Sequence, residues 1–162
     1  MVKRKPARPD FKKCPECGGT LRAKNVDYQF NVGGAVFSAD VRALVCAKCG
    51  EELTDGAAMV RREIDAAVVL TGYKPSADAI RFFRSVLGLK AKDFADLVGV
   101  AAETVSRWEN GVREIDAAAW AHLCSMVLDK SAGTTTTIDR LRANADVRDR
   151  PLPSKKLVLK PA

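Results

Sequence analysis

Four cysteines carry the plainest chemistry in this chain: Cys14 and Cys17 in "CPECGG", and Cys46 and Cys49 in "CAKCGEEL". Two Cys-x2-Cys pairs, twenty-eight residues apart, offer four thiolates as a tetrahedral shell, the arrangement zinc prefers. A complete four-sulfur shell leaves no open position for a substrate, so the expected cofactor is one structural zinc per chain. Gly18 and Gly50 follow the two pairs, where the backbone must turn sharply around the sulfurs. A disulfide pair is the competing reading, disfavoured in a cytoplasmic protein. A redox Cys-x2-Cys seldom comes doubled. The fifth cysteine, Cys124, has only His122 near it in sequence and reads as a small apolar filler of core or interface. No Ser/His/Asp or Cys/His set, phosphate loop or dinucleotide fingerprint can be assembled, so the chain is not read as an enzyme.

The elements that must position the cysteines follow from patterning. The stretch "AKNVDYQFNVGGAVFSADVRALVC" alternates on both sides of Gly33-Gly34 and reads as a hairpin. A helix is expected from Thr54, with Val60, Ile64, Ala67 and Val68 on one face and Arg61, Arg62 and Glu63 on the other. "TGYKPS" supplies Gly and Pro and reads as a linker. From Ala77 the pattern is helical, with Ile80, Phe83 and Leu87 on one stripe, then Phe94, Leu97 and Val98, then Val105 and Trp108. The organisation expected is a basic disordered arm over 1–13, a zinc-binding domain with a bridging helix over 14–70 and a linker over 71–76. A helical domain over 77–130 and a basic, disordered tail over 131–162 complete it. The fold class is mainly α with a small β zinc module: a four-cysteine zinc-binding hairpin domain followed by a five-helix domain.

Composition narrows the function classes. The 162 residues are 47% hydrophobic but only 6% aromatic, which suits small aliphatic cores. No apolar run approaches the 18 or so residues of a membrane span. The basic start "MVKRKPARPDFKK" is followed by no apolar segment, so a cytoplasmic location is expected and no secretory signal is read. The net charge of +7 resides in the ends: +5 over 1–13, +4 over 131–162 and −2 between them. Basic tails add nonspecific, salt-sensitive DNA affinity, or serve only as solubilising chain.

Residues 90–98 and 101–110, with a turn at Gly99-Val100, have the lengths of a helix-turn-helix. With the apolar positions turned inward, Ala102, Glu103, Ser106 and Arg107 lie outward along the second helix. Arg107 suits guanine, Glu103 cytosine N4 and the Ala102 methyl a thymine methyl, all read from the major groove. The helix from about Asp116 to Asp129 is apolar nearly all round, with Ala119, Leu123 and Val127 on one stripe and Trp120, Cys124 and Leu128 beside it. So wide an apolar surface must be covered on more than one side. A dimer interface through Trp120, Leu123, Cys124, Val127 and Leu128 is therefore expected, matching a palindromic operator. A broad core helix inside a monomer is the alternative.

The segment "LGLKAKDFADLVGVAAETVSRWENG" resembles the Xre/Cro/phage-repressor type of helix-turn-helix. A zinc module, a bridging helix, a short linker and such a domain, in that order, resemble the MqsA (YgiT-type) antitoxins over about residues 12–130. The resemblance implies a C-terminal domain that dimerises and binds a palindromic double-stranded DNA operator. It also implies an N-terminal zinc domain that neutralises a ribonuclease toxin, so that the protein represses its own operon. Asn110 matches the family's backbone-contacting Asn. Two positions depart from the pattern: Ala91 stands where a DNA-contacting Gln is frequent, and Ala101 where the recognition helix often has a Ser N-cap. Lys90 and Lys92 flank the first gap and are placed to hold phosphates instead. A free-standing zinc-containing phage or mobile-element repressor is the alternative, and from another class an interaction adaptor with a degenerate helix-turn-helix.

Overall fold

The computed structural model describes residues 13–32 and 34–147. The arm over 1–12, Gly33 of the expected turn and the last part of the tail, 148–162, lie outside the described residues.

Three antiparallel strands, β1 (Leu21–Val32), β2 (Ala35–Cys46) and β3 (Glu52–Thr54), form one sheet in that order. β1 and β2 pair along their whole length, from Leu21 opposite Cys46 to Val32 opposite Ala35. Strands of equal length return the chain to its starting point. The long spacer between the cysteine pairs is thus a device for closing them on each other. β3 was not expected from sequence. Its residues pair with Ala43, Leu44 and Val45, so the helix foreseen from Thr54 starts two residues later. Asp55 sets that start, its carboxylate accepting from Ala57 N–H at 3.0 Å.

One face of the hairpin carries Val32, Val41 and Ala43, all buried, with Tyr28, Phe30 and Phe37 half-buried. The other carries Asn25, Asp27, Gln29, Ser38, Asp40 and Arg42, all exposed. This alternation is what a strand pair needs when only one side meets a core. Phe30 stacks on Phe37 with centroids 5.4 Å apart and lies 6.4 Å from Phe82. Tyr28 donates to Glu63 at 3.2 Å. These contacts seat the hairpin on the helices.

Six helices follow among the described residues: α1 (Gly56–Leu70), α2 (Ala77–Leu87), α3 (Ala91–Val98), α4 (Ala102–Glu109), α5 (Ala117–Ala132) and α6 (Thr136–Val147). The mainly-α class with a small β module holds; α1 is the bridging helix, four helices begin within the expected 77–130, and a fifth, α6, lies beyond it. One core joins Ile64, Ala67, Phe83, Phe94, Val105, Trp108, Leu123, Met126, Val127 and Leu141. Burying each large side chain there stabilises by about 1.5–3 kcal/mol. None of the helices is long and apolar enough to cross a membrane.

Two expectations are corrected here. First, α1 contributes Ile64 and Ala67 to the helical core and packs against α2 and α5. A boundary at residue 70 therefore does not separate it from the other helices. Val60, expected on its inner face, is 47% exposed. Second, part of the segment 131–162, expected to be disordered, forms α6. Its pattern is weak: among its described side chains Leu141 is buried and Ile138 partly so. The helix is started from outside, since the Asp129 carboxylate on α5 accepts from Thr137 N–H at 2.6 Å.

Candidate metal centre and candidate nucleic-acid interface

Each cysteine pair is wound by the same backbone turn. Cys14 C=O accepts from Gly18 N–H and Cys14 N–H donates to Gly19 C=O, both at 2.9 Å. Cys46 repeats this with Gly50 and Glu51 at 3.0 and 2.9 Å. Ala47 N–H donating to Thr20 C=O at 3.0 Å ties one turn to the other. As a result the Cys14–Cys49, Cys17–Cys46 and Cys17–Cys49 sulfurs stand 3.6, 3.5 and 3.3 Å apart, and all four lie within 4.8 Å of one another. A disulfide would need about 2.05 Å. A zinc tetrahedron with Zn–S near 2.3 Å has edges of about 3.8 Å, close to what is found.

The electrostatics of the cluster call for a cation. Backbone N–H groups of Cys49 and Lys48 hydrogen-bond to the Cys46 sulfur and pull its thiol down to about 6. At Cys17 the Gly19 N–H favours the thiolate, but hydrogen bonds with Cys49 and Cys46 outweigh it and push the thiol up to about 12. The shifts at Cys17 and Cys46 run in opposite directions because neighbouring sulfurs compete for charge, and a doubly charged ion at the centre of the cluster removes the conflict. The group fits one structural zinc.

Gly19 was missed from sequence, where only Gly18 and Gly50 were singled out. A Cβ at residue 19 would lie 2.9 Å from the Cys46 sulfur, 2.9 Å from Lys48 Cβ and 3.2 Å from the Cys17 sulfur. The second pair passes so close to the first that only hydrogen fits. The sign was the doubled glycine in "CPECGG", since one glycine suffices for a turn.

The second constellation is built on α3 and α4. α3 ends at Gly99, whose φ of 74° is the left-handed conformation that lets the chain turn within three residues. Ala101 then occupies the N-cap of α4 with φ −73° and ψ 149°, and no side-chain hydrogen bond serves the first turn. Val105 and Trp108 are buried, as the pattern required, and Glu103, Ser106 and Arg107 are exposed on the opposite side. Lys90 and Lys92 are exposed at the start of α3.

Two of the residues expected to face DNA are otherwise engaged. Ala102 is half-buried and packs against the core, because position N1 of so short a helix already turns inward. Asn110 spends its side chain on the chain itself. Its amide donates to Ser106 C=O at 2.8 Å and to Ser106 Oγ at 3.3 Å, and its Oδ1 accepts from Arg81 at 3.1 Å. It closes the end of α4.

What holds α4 in place was also missed. Glu109 is only 8% exposed, and its carboxylate takes both Nε and Nη2 of Arg84, the second at 3.0 Å. Arg84 further donates to Leu89 C=O at 2.8 Å, and Arg81 donates to Glu109 C=O at 2.9 Å. The hydrogen bonds to Glu109 hold the Arg84 guanidinium above its ordinary value. The available signal was Glu109 itself, a charge four residues after Val105 on an apolar stripe.

Burial within the chain divides the five residues expected at a dimer interface. Leu123 and Val127 are fully buried within the chain, and Trp120 stacks on Phe83 with centroids 5.0 Å apart. Cys124 is half-buried and its thiol is pushed up to about 11 by burial. Leu128 alone of the five is exposed, at 48%. The apolar girth of α5 is covered by α1, α2 and α6 of its own chain. Sequence patterning offers no such cover, because it shows no α6 and sets α1 in the other domain.

Comparison with known families gives a match. The family described as the antitoxin component of bacterial toxin-antitoxin system, MqsA, matches over residues 12–132, which takes in the four cysteines and α1 to α5. No curated protein matches the chain.

Proposed function

From the premise that this chain belongs to the MqsA antitoxin family, we infer that it is a DNA-binding antitoxin and repressor of its own operon, acting in the cytoplasm and without enzymatic activity. In this reading the zinc module neutralises a ribonuclease toxin. The helix-turn-helix formed by α3 and α4 reads double-stranded DNA at a palindromic operator, with two copies of the chain.

The observation that carries the reading is the span of the family match across both the four-cysteine module and α3–α4. Physical support comes from the exposed row of Glu103, Ser106 and Arg107 on a helix clamped from behind by Arg84. A major-groove reader needs such a rigid support, because base contacts lose value if the helix rocks. Lys90 and Lys92 are the phosphate-binding candidates beside it. For the second copy, Leu128 with the outer edges of Cys124 and Trp120 is the part of the expected interface left available.

The test is a titration of the purified full chain with the duplex upstream of its own gene and with a random duplex of equal length. Tighter binding to the first, lost selectively at one base pair per half-site in Arg107→Ala, supports the reading. Equal affinity for both overturns it. An interaction adaptor is the second reading, favoured by the uncapped start of α4 at Ala101, by the partial burial of Ala102 and by the engagement of the exposed Asn110 side chain with Ser106 and Arg81. A free-standing repressor without a toxin is separated from an antitoxin by co-expression with the adjacent open reading frame. Relief of its growth arrest is the antitoxin's mark.

A further inference from the structure

Three side chains on two helices form one line of hydrogen bonds that ends on the exposed face of α4, beside Glu103 and Arg107. Arg81 of α2 donates to Asn110 Oδ1 at 3.1 Å and to Glu109 C=O at 2.9 Å. The Asn110 amide nitrogen donates to Ser106 C=O at 2.8 Å and to Ser106 Oγ at 3.3 Å. Arg81, Asn110 and Ser106 are all exposed.

The direction of these bonds is forced. A guanidinium can only donate, and a backbone carbonyl can only accept. Asn110 therefore keeps its oxygen toward Arg81 and its nitrogen toward Ser106. Turning the amide over would set donor against donor at one end and acceptor against acceptor at the other. The Ser106 oxygen accepts from Asn110, and among the described residues no acceptor takes the Ser106 hydroxyl proton. Ser125 shows the usual fate of such a proton in a helix: it goes to Ala121 C=O one turn back, at 2.9 Å.

We propose that Arg81 is a positioning residue for base reading: through Asn110 it presents the Ser106 hydroxyl as a hydrogen-bond donor to a base edge in the major groove. The proposal rests on the DNA-binding reading given above. Guanine, adenine and thymine each offer an acceptor in that groove, whereas cytosine offers only its N4 donor. Ser106 thus selects against cytosine at the base it meets. Without Arg81 the Asn110 amide loses one of the two partners that hold it, and the hydroxyl loses its fixed polarity. A polarity set before docking costs no rearrangement when water leaves the interface.

The experiment titrates the full chain, Ser106→Ala, Arg81→Met and Arg81→Lys with the duplex upstream of the gene and with its single-base-pair substitutions across one half-site. Melting curves establish that each variant is folded. In the full chain, one position other than that read by Arg107 should penalise cytosine about fivefold, the worth of one net hydrogen bond. Ser106→Ala should abolish that penalty and leave the preference at the Arg107 position. Arg81→Met should reduce it to about twofold or less, and Arg81→Lys, which still only donates, should keep it. A cytosine penalty that survives intact in Ser106→Ala or in Arg81→Met overturns the proposal. Equal weakening of every duplex by Ser106→Ala would mean that the hydroxyl meets phosphate, and overturns it too. Failure of the full chain to prefer its upstream duplex over a random one overturns the parent reading instead.

Discussion

Arg84 of α2 and Glu109 of α4 meet through two parallel hydrogen bonds at the point where α4 leaves the core, with Glu109 almost wholly withdrawn from water. The same guanidinium reaches Leu89 C=O in the turn before α3. One side chain therefore holds the start of α3 and the end of α4 against α2. Removing its partner strands a partly buried cation, whose side chain is 19% exposed, at a cost of up to about 3–5 kcal/mol. Glu109→Ala should lower stability by that order in thermal melts. Arg84→Met with Glu109→Leu should recover most of the loss, because an apolar pair leaves no charge unpaired. A double variant no more stable than the single would show that the packing, not the charge, was decisive.

The closeness of Gly19 to both cysteine pairs predicts a metal effect from a single methyl. Gly19→Ala must push the Cys46 sulfur or Lys48 aside. It should lower zinc affinity much more than Gly18→Ala, whose Cβ would meet nothing within 4 Å and costs about 1–2 kcal/mol for its left-handed backbone. Competition with a chelating dye, read as zinc released per chain, measures both. The wild-type protein should hold one zinc per chain, and Cys46→Ser should unfold the hairpin before the helices, because so small a sheet lacks core enough to stand without its ion.

At the start of α4, Ala101 leaves N–H groups without a side-chain acceptor. Its φ and ψ are already those of an N-cap, so a serine there needs no backbone change. Ala101→Ser should stabilise the protein by about 0.5–2 kcal/mol. Equal or lower melting temperature would show that water already serves these groups fully.

Asp129 links α5 to α6 in a way that pH should reveal. Its hydrogen bond from the Thr137 backbone N–H holds the carboxyl below the ordinary 3.8. A lowered carboxyl contributes stability that is complete above 3.8 and lost as pH falls through its folded value. Asp129→Asn keeps an acceptor without the charge, and should remove this part of the acid sensitivity below about pH 4. Helical signal followed from about pH 6 to 3 in both proteins is the measurement. Parallel curves would place the cap's effect elsewhere.

Sequence alone settled whatever depends on spacing along a single element. The four cysteines, the hairpin between them, the capped helices from Ala77 to Gly111 and the N-cap at Ala101 are local matters. They are decided by sulfur count, by alternation and by turn chemistry within a few residues. The metal centre was legible for that reason. Only the tertiary structure decided which surfaces remained free. Leu123 and Val127 have the same apolar side chains whether they face a partner or their own core. α1, α2 and α6 of the same chain pack against α5 and cover them. Ala102 and Asn110 sit at outward positions of a helical wheel, yet packing takes the first and Arg81 engages the second. Gly19 looks like any turn glycine until another segment, nearly thirty residues on, comes up against it. Periodicity states that a face must be covered. What covers it is a property of three-dimensional neighbours, and those come from elsewhere in the chain.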